Sequence, residues 1–109
     1  MNRQLEAEIN ALHAQVCAAL AEPKRIMILY VLAEGPQNVG DLCKALKAPQ
    51  PAVSRHLKVL RGSGLVIARR EGMNVVYSLA HPKVVKALDL LRQVLNENLK
   101  RSASLVSGE

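Results

Sequence analysis

The chain has almost no aromatic side chains. Its 109 residues include no Phe and no Trp, and Tyr30 and Tyr77 are the only two aromatics. The hydrophobic core must therefore be built mainly from aliphatic residues. Modules that bind RNA or single-stranded DNA stack the bases on aromatic side chains. The shortage of aromatics argues against both kinds of module.

Cysteines and long apolar runs are also scarce. Cys17 and Cys43 are the only cysteines, too few for the disulfide framework of a small secreted domain, and we expect both to be reduced thiols. No apolar run approaches the length of a membrane span, and the N-terminus lacks the apolar block of a signal peptide. These absences predict a cytoplasmic protein without a membrane partner.

The groups that enzymes use for catalysis are not clustered in the sequence. His13, His56 and His81 are far apart, and none lies in a recognisable nucleophile–base arrangement. The sequence also contains no glycine-rich loop of the kind that binds phosphates in nucleotide enzymes. We therefore expect no enzymatic activity.

Acidic residues are missing from one long stretch. Between residues 42 and 70 there are seven Lys or Arg and no Asp or Glu, and the whole chain has a formal charge of +6. A basic run is often only a solvated surface. Here it coincides with a pair of helices and a hairpin, and for such a domain double-stranded DNA is the commonest acidic partner. The seven residues are Lys44, Lys47, Arg55, Lys58, Arg61, Arg69 and Arg70.

Residues 38–62 have the pattern of two helices joined by a tight turn. Asn38 is a suitable N-cap, and Asp41 follows it at the position of a capping carboxylate. Residues 47–50 interrupt the helical pattern, and Pro51 fits the first turn of a second helix. The pattern predicts a helix-turn-helix whose second helix can lie in the major groove. Apolar residues recur at spacings of three and four in both halves: Val39, Leu42, Cys43 and Leu46, then Val53, Leu57 and Leu60.

The flanking segments predict a mainly α-helical fold with one small β-hairpin. Helices are expected over residues 2–20, over 24–33 as the central helix, and from His81-Pro82 onward. Strands are expected at 65–68 and 75–79, joined by a turn at 71–74. Residues 1–101 are expected to form a single domain, and the Ser-rich residues 102–109 a disordered tail.

The first and last helices carry longer apolar stripes than one small core can bury. We therefore expect these helices to pack against the same pair of a second copy, giving a two-fold homodimer. The alternative is a monomer in which they only cover the helix-turn-helix. The stripes comprise Leu5, Ile9, Leu12, Val16 and Leu20, and then Val84, Val85, Leu88, Leu91, Leu95 and Leu99.

Four segments together resemble the ArsR/SmtB family of winged helix-turn-helix repressors. They are AALAEPKRIMIL at 18–29, PAVSRHLKVL at 51–60, GLV at 64–66 and RREG at 69–72. The similarity extends over about residues 12–98. It implies a dimeric repressor on an imperfect inverted repeat, released by a metal, a metalloid or a thiol-reactive inducer. By position it implies a recognition helix with Gln50, Pro51, Ser54, Arg55 and His56, and a wing with Arg69, Arg70 and Asn74.

The side chains themselves indicate how DNA contacts would be divided. Arg55 offers a planar fork for the major-groove edge of guanine or for a phosphate, and Ser54 and Gln50 can contact either. Cations hold phosphates without selecting sequence, which is the expected role of Lys58, Arg69 and Arg70. His56 could contact DNA or form a hydrogen bond within the helix junction.

The family's sensor sites are only partly represented. Residues 38–41 contain no cysteine, which argues against a Cys-x-Cys site for arsenic or cadmium at the start of that helix. The last helix has Asp89 and Glu97 but its histidine only at its beginning, which argues against a zinc site there. His13 and Cys17, four residues apart, could supply two ligands and a second copy the others. Packing is the simpler role for Cys17 and for Cys43.

Two further interpretations stay open at this stage. The winged helix could serve protein contacts instead of DNA, although the acid-free basic stretch disfavours this. The chain could also be a family member that has lost inducer sensing.

Overall fold

The computed structural model describes residues 1–106 and shows helices packed around a three-stranded antiparallel sheet. This confirms the predicted mainly α-helical class with a small hairpin. None of the helices in the described residues has the length and apolar composition needed to cross a membrane. In chain order the elements are α1 (Arg3–Ala11), a π-helical segment (Leu12–Cys17), α2 (Ala18–Leu20), α3 (Pro23–Ala33), β1 (Gln37–Asn38), α4 (Val39–Leu46), α5 (Gln50–Gly62), β2 (Val66–Glu71), β3 (Asn74–Leu79) and α6 (Lys83–Val106).

The predicted first helix is continuous over residues 3–20 but is wider in the middle. Asn2 caps it, because its Oδ1 accepts a hydrogen bond of 2.7 Å from the backbone N–H of Leu5. In the π-helical segment, the N–H of Ala18 donates to the carbonyl of His13, five residues back. This wider turn shifts the later side chains around the axis relative to a regular 3.6-residue period. Sequence periodicity did not predict it.

The corner between α2 and α3 is held by two side chains of the segment EPKR. The Glu22 carboxylate caps α3, since its Oε2 accepts a 2.6 Å hydrogen bond from the N–H of Lys24. The Arg25 guanidinium donates to the carbonyls of Ala19, at 2.6 Å, and of Ala18, at 3.2 Å. A cation at the C-terminal end of a helix satisfies carbonyls that have no partner within the helix. The first helix is thereby fixed against α3.

The helix-turn-helix forms as predicted. Asn38 Oδ1 accepts a 2.8 Å hydrogen bond from the N–H of Asp41 at the start of α4, and Lys47, with φ of 52°, ends that helix in the left-handed region. Helix α5 begins at Gln50, one residue before the expected Pro51. Pro49 is the N-cap residue. It has no side-chain cap, but its carbonyl accepts hydrogen bonds from the N–H groups of Ala52 and Val53.

The hairpin is longer and its turn tighter than the sequence indicated. Strand β2 continues to Glu71, which pairs with Asn74, so only Gly72 and Met73 form the turn. A third strand, β1, pairs with β3 through Gln37 and Tyr77 and through Asn38 and Val76. Strand β1 could not be predicted from the sequence, because two residues are too few for an alternating pattern.

The core lies where α3, α4, α5 and the start of the hairpin meet. Helix α3 is central as predicted, although Met27 on its outer side is 46 % exposed. Burying aliphatic side chains from every element of the helix-turn-helix fixes the orientation of α5. The fully buried large side chains are Ile28, Leu29, Leu42, Val53, Leu57, Leu60 and Val66.

Helix α6 contacts the core only near its N-terminal end. Leu88 is 6 % exposed, whereas Leu91 and Leu95 on the same stripe are 61 % and 56 % exposed. The radius of gyration is 17.0 Å, against about 13 Å for a compact domain of this length. Residues 102–106, predicted as part of a tail, belong to α6, in which Ala103 and Leu105 favour helix. Residues 107–109 lie outside the described residues.

One polar cluster joins α6 to the central helix. The Tyr30 hydroxyl donates a 2.6 Å hydrogen bond to Asp89 Oδ1, and Arg92 Nη1 donates to the same oxygen at 3.2 Å. The Arg92 Cζ also lies 5.3 Å from the centroid of the Tyr30 ring. Burial, and then the hydrogen bond to Asp89, raises the pKa of Tyr30 above 10.0, its usual value.

We expect this cluster to make stability fall at alkaline pH. Because the pKa of Tyr30 is raised by folding, its contribution is complete below the unfolded pKa and is lost as pH rises through the folded pKa. Replacing Tyr30 by Phe should cost about 1 kcal/mol at neutral pH, and less as pH rises above about 10. Urea unfolding at several pH values measures this, with Tyr77→Phe as the control. A cost that stays constant up to the highest pH would contradict it.

Candidate nucleic-acid interface

One face of α5 is exposed and basic. At about 100° per residue, Arg55 and Lys58 point away from the buried residues Val53, Leu57 and Leu60. No carboxylate interrupts this surface, because the sequence has none between residues 42 and 70. We call it the basic face of α5; its members are Gln50, Pro51, Ser54, Arg55, Lys58 and Arg61, all exposed. The structure thus brings five predicted contact residues onto one surface and adds Arg61.

A groove separates α5 from the hairpin. Its volume is about 520 Å³, and Ser54, Lys58 and Arg61 line it on the helix side and Tyr77 on the sheet side. Two cations and two hydroxyl groups therefore face one cleft, which is a suitable environment for a phosphate. The sequence indicated Arg61 only as part of the basic run. Arg61 follows Ser54 by seven residues and Lys58 by three. These spacings place the three side chains on the same side of a helix and could have identified Arg61 as a member of this surface.

The strand register places the two hairpin arginines on opposite faces. Residues directly opposite in an antiparallel pair share a face, and successive residues alternate. Ala68 pairs with Tyr77 and Arg70 with Val75, so Arg70 lies on the Tyr77 face, which borders α5. Arg69 lies on the other face, together with the half-exposed Ile67. From the sequence alone, Arg69 and Arg70 had the same predicted role, a phosphate contact on the wing.

The hairpin tip lies beside the beginnings of α4 and α5. A concave surface of about 380 Å³ is bordered by Gln50 and Asn74, two of the predicted DNA-contact residues. Asn38, Gly40 and Met73 border it as well. Gln50 and Asn74, 24 positions apart in sequence, therefore lie on one surface, because β1 and α4 are directly consecutive and β1 pairs with β3.

His56 lies at the helix junction and not on the basic face. Its Nε2 is 3.9 Å from Glu22 Oε2, and its side chain is 19 % exposed. Glu22 is the N-cap of α3, so a contact between these two side chains joins the central helix to α5. The distance is longer than a hydrogen bond, and a DNA contact of His56 stays a prediction.

The two thiols have different surroundings. Cys17 is exposed and lies with the exposed His13 in the π-helical segment, whereas Cys43 is partly buried and packs against the core. Within residues 1–106, no three His, Cys, Asp or Glu side chains are grouped closely enough to hold a metal ion. Among these residues, His13 and Cys17 could thus provide two ligands from one chain.

Comparison with known proteins agrees with this geometry. A family described as "Bacterial regulatory protein, arsR family" matches residues 22–68. The regulator NmtR of Mycobacterium tuberculosis is 45 % identical over 85 residues, which cover 78 % of this chain and 71 % of NmtR. The chain belongs to the ArsR/SmtB family. This confirms the resemblance inferred from the residues, and the matched segment runs from the α3 cap to the first half of β2.

Two further comparisons show how far the similarity extends. A protein of Synechocystis described as a transcriptional repressor SmtB homolog is 39 % identical over 97 residues, covering 84 % of this chain and 71 % of that protein. A solved fragment from Mycobacterium bovis, described as a homodimeric winged helix-turn-helix DNA-binding domain, has a TM-score of 0.78. It is 32 % identical, and the superposition covers 93 % of each chain. The winged helix-turn-helix class is therefore confirmed.

Proposed function

We propose that this ArsR/SmtB family chain is a transcriptional repressor that binds double-stranded DNA as a homodimer on an inverted repeat. The observation that carries the proposal is the basic face of α5. It is exposed, free of carboxylates in its sequence and oriented by a buried core on its opposite side. An α-helix with such a face fits the major groove.

The contacts are proposed to divide according to where each side chain lies. Arg55, near the middle of the basic face, reads a base edge, and Pro51 supplies an apolar contact in the first turn of the helix. Cations beside the groove hold phosphates and set the register without selecting sequence. The phosphate contacts are Lys58, Arg61 and Arg70, with Arg69 on the outer side of the hairpin; Gln50, Ser54 and Asn74 supply polar contacts.

The second copy is proposed to cover the exposed leucines of the first and last helices. Leu5, Ile9 and Leu12 are 42 to 50 % exposed on the first helix, and the α6 stripe beyond Leu88 is more exposed still. An apolar surface of this extent normally marks an interface. A two-fold axis through it would present two α5 helices to successive major grooves.

Binding to duplex DNA is expected to weaken steeply with salt. Each phosphate contact contributes about 0.9 to the slope of log K against log salt, so Lys58→Ala should lower the slope by about 1 per protomer. Fluorescence anisotropy at several salt concentrations measures this, and Lys86→Ala on α6 is a matched control away from the basic face. If the chain binds no duplex even at low salt, the protein-interaction alternative replaces this proposal.

The exposure of Cys17 favours it over Cys43 as the thiol through which an inducer could act. We expect Ellman's reagent to modify Cys17 in the native protein at least about tenfold faster than Cys43, because only thiolates with solvent access react. The modification rates of Cys17→Ser and Cys43→Ser give the reactivity of each remaining thiol separately. Equal rates would contradict the assignment.

Release from DNA is tested with the same pair of variants. Zn²⁺, Cd²⁺, arsenite and a persulfide are titrated into the protein–DNA complex, and His13→Ala is included. If Cys17 and His13 are the sensor pair, Cys17→Ser abolishes release and Cys43→Ser does not. Release that survives Cys17→Ser excludes this pair. No release by any of the four agents supports a family member without this kind of sensing.

A further inference from the structure

The most exposed apolar side chain in the hairpin is at its tip. Met73 is 101 % exposed, which is more than any other large apolar residue in the described chain. It lies on the same concave surface as Gln50 and Asn74 and so faces the side that α5 presents to DNA. No side chain among residues 1–106 covers it.

The turn holds this side chain in a defined position. Glu71 pairs with Asn74, so the loop has only two residues, and Gly72 has a φ of 63° while Met73 has a negative φ. A positive φ at the first of two loop residues is typical of the tight type II′ hairpin turn. Met73 is therefore the apex of a short, well-defined turn and not part of a loose loop.

The cationic side chains of β2 precede the tip of the hairpin. Residues 71–74 contain Glu71 and no cation, whereas Arg69 and Arg70 precede them on opposite faces of the hairpin. If α5 lies in a major groove, the hairpin beside its N-terminal end reaches the flanking backbone and the minor groove beyond it. The arginines can then hold phosphates while Gly72 and Met73, the two uncharged loop residues, meet the sugars and the groove floor. Glu71 lies before this loop, on the hairpin face that carries Arg69.

We propose that Met73 inserts into the minor groove flanking each half-site and makes the protein prefer an easily unstacked base step there. The inference rests on the proposed DNA-binding function. Apolar side chains, Met among them, act as wedges between base steps, and pyrimidine–purine steps such as TA and CA/TG yield most easily. The unbranched, flexible thioether of Met73 suits a narrow groove.

In vitro selection from random duplexes tests this directly. Wild-type protein is expected to enrich TA or CA/TG at a fixed distance outside each half-site, and Met73→Ala is expected to retain the half-site but lose that preference. Affinity for the wild-type selected duplex should fall about five- to tenfold in Met73→Ala and in Met73→Gln, with the salt slope unchanged. Met73→Leu should restore most of the affinity.

The control is Ile67→Thr, which removes another exposed apolar side chain of the hairpin away from the tip. It should leave both affinity and flanking preference unchanged. Circular dichroism melting verifies that the turn variants are folded. Identical flanking sequences for wild type and Met73→Ala overturn the proposal, whether or not affinity changes. If wild type enriches no sequence at all, the DNA-binding function itself fails, which is a different result.

Discussion

Replacing Arg55 by Ala should weaken binding to the selected operator by about 1–3 kcal/mol and binding to unrelated duplexes much less. Arg55 is the member of the basic face whose guanidinium can pair with O6 and N7 of guanine, and its direction opposite the buried residues places it toward the groove floor. Only duplexes that carry the guanine can lose this base contact, so binding to unrelated duplexes should change much less. Competition titrations against specific and random duplexes measure both quantities.

Two further variants show whether the lost affinity comes from a base contact or from a phosphate contact. Arg55→Lys keeps the charge but not the planar fork, so it should recover non-specific binding without recovering specificity. Arg61→Ala removes a cation that faces the groove beside Tyr77, and should weaken all duplexes similarly. If Arg55→Ala instead weakens all duplexes to the same extent, Arg55 is a phosphate contact.

Placing two charges on the exposed α6 stripe should weaken operator binding by a comparable or larger amount. Leu91→Lys combined with Leu95→Lys puts two cations into the proposed interface, where burying an unpaired charge costs several kcal/mol. We expect a monomer in analytical ultracentrifugation and operator affinity lower by on the order of a hundredfold or more, because one α5 helix can occupy only one half-site.

The matched control for this pair is Gln93→Lys. Gln93 is exposed on the same helix, but about 140° around the axis from Leu88, so its cation should leave the dimer intact. Melting experiments establish that the double variant remains folded, as expected when Leu88 and the rest of the core are unchanged. A wild-type protein that sediments as a monomer while binding its operator fully would refute the two-fold arrangement.

The helix-turn-helix was predictable because several local signals agree. Asn38 at the α4 cap, the break before Pro51 and the apolar spacing within each helix all indicate the same two elements. The members of the basic face could be predicted from the same periodicity, because residues of α5 outside the buried stripe lie on the exposed side of the helix. These elements are determined by interactions between residues close in sequence, so one sequence was sufficient to predict them.

The remaining features depend on long-range contacts. Strand β1 exists only because β3 offers it a partner, and the separation of Arg69 from Arg70 depends on the strand register. His56 lies 3.9 Å from Glu22, which is 34 residues away in sequence. The wide turn before Ala18 breaks the helical period itself. Propensity and periodicity carry no information about such pairings.

Hydroxyl-radical footprinting of the wild-type protein on its selected duplex shows whether two copies occupy successive major grooves. We expect two protected segments related by an inverted repeat, with centres one helical turn or a whole multiple of it apart, and a stoichiometry of two chains per duplex. A single protected segment occupied by one chain, or uniform protection independent of sequence, would contradict it.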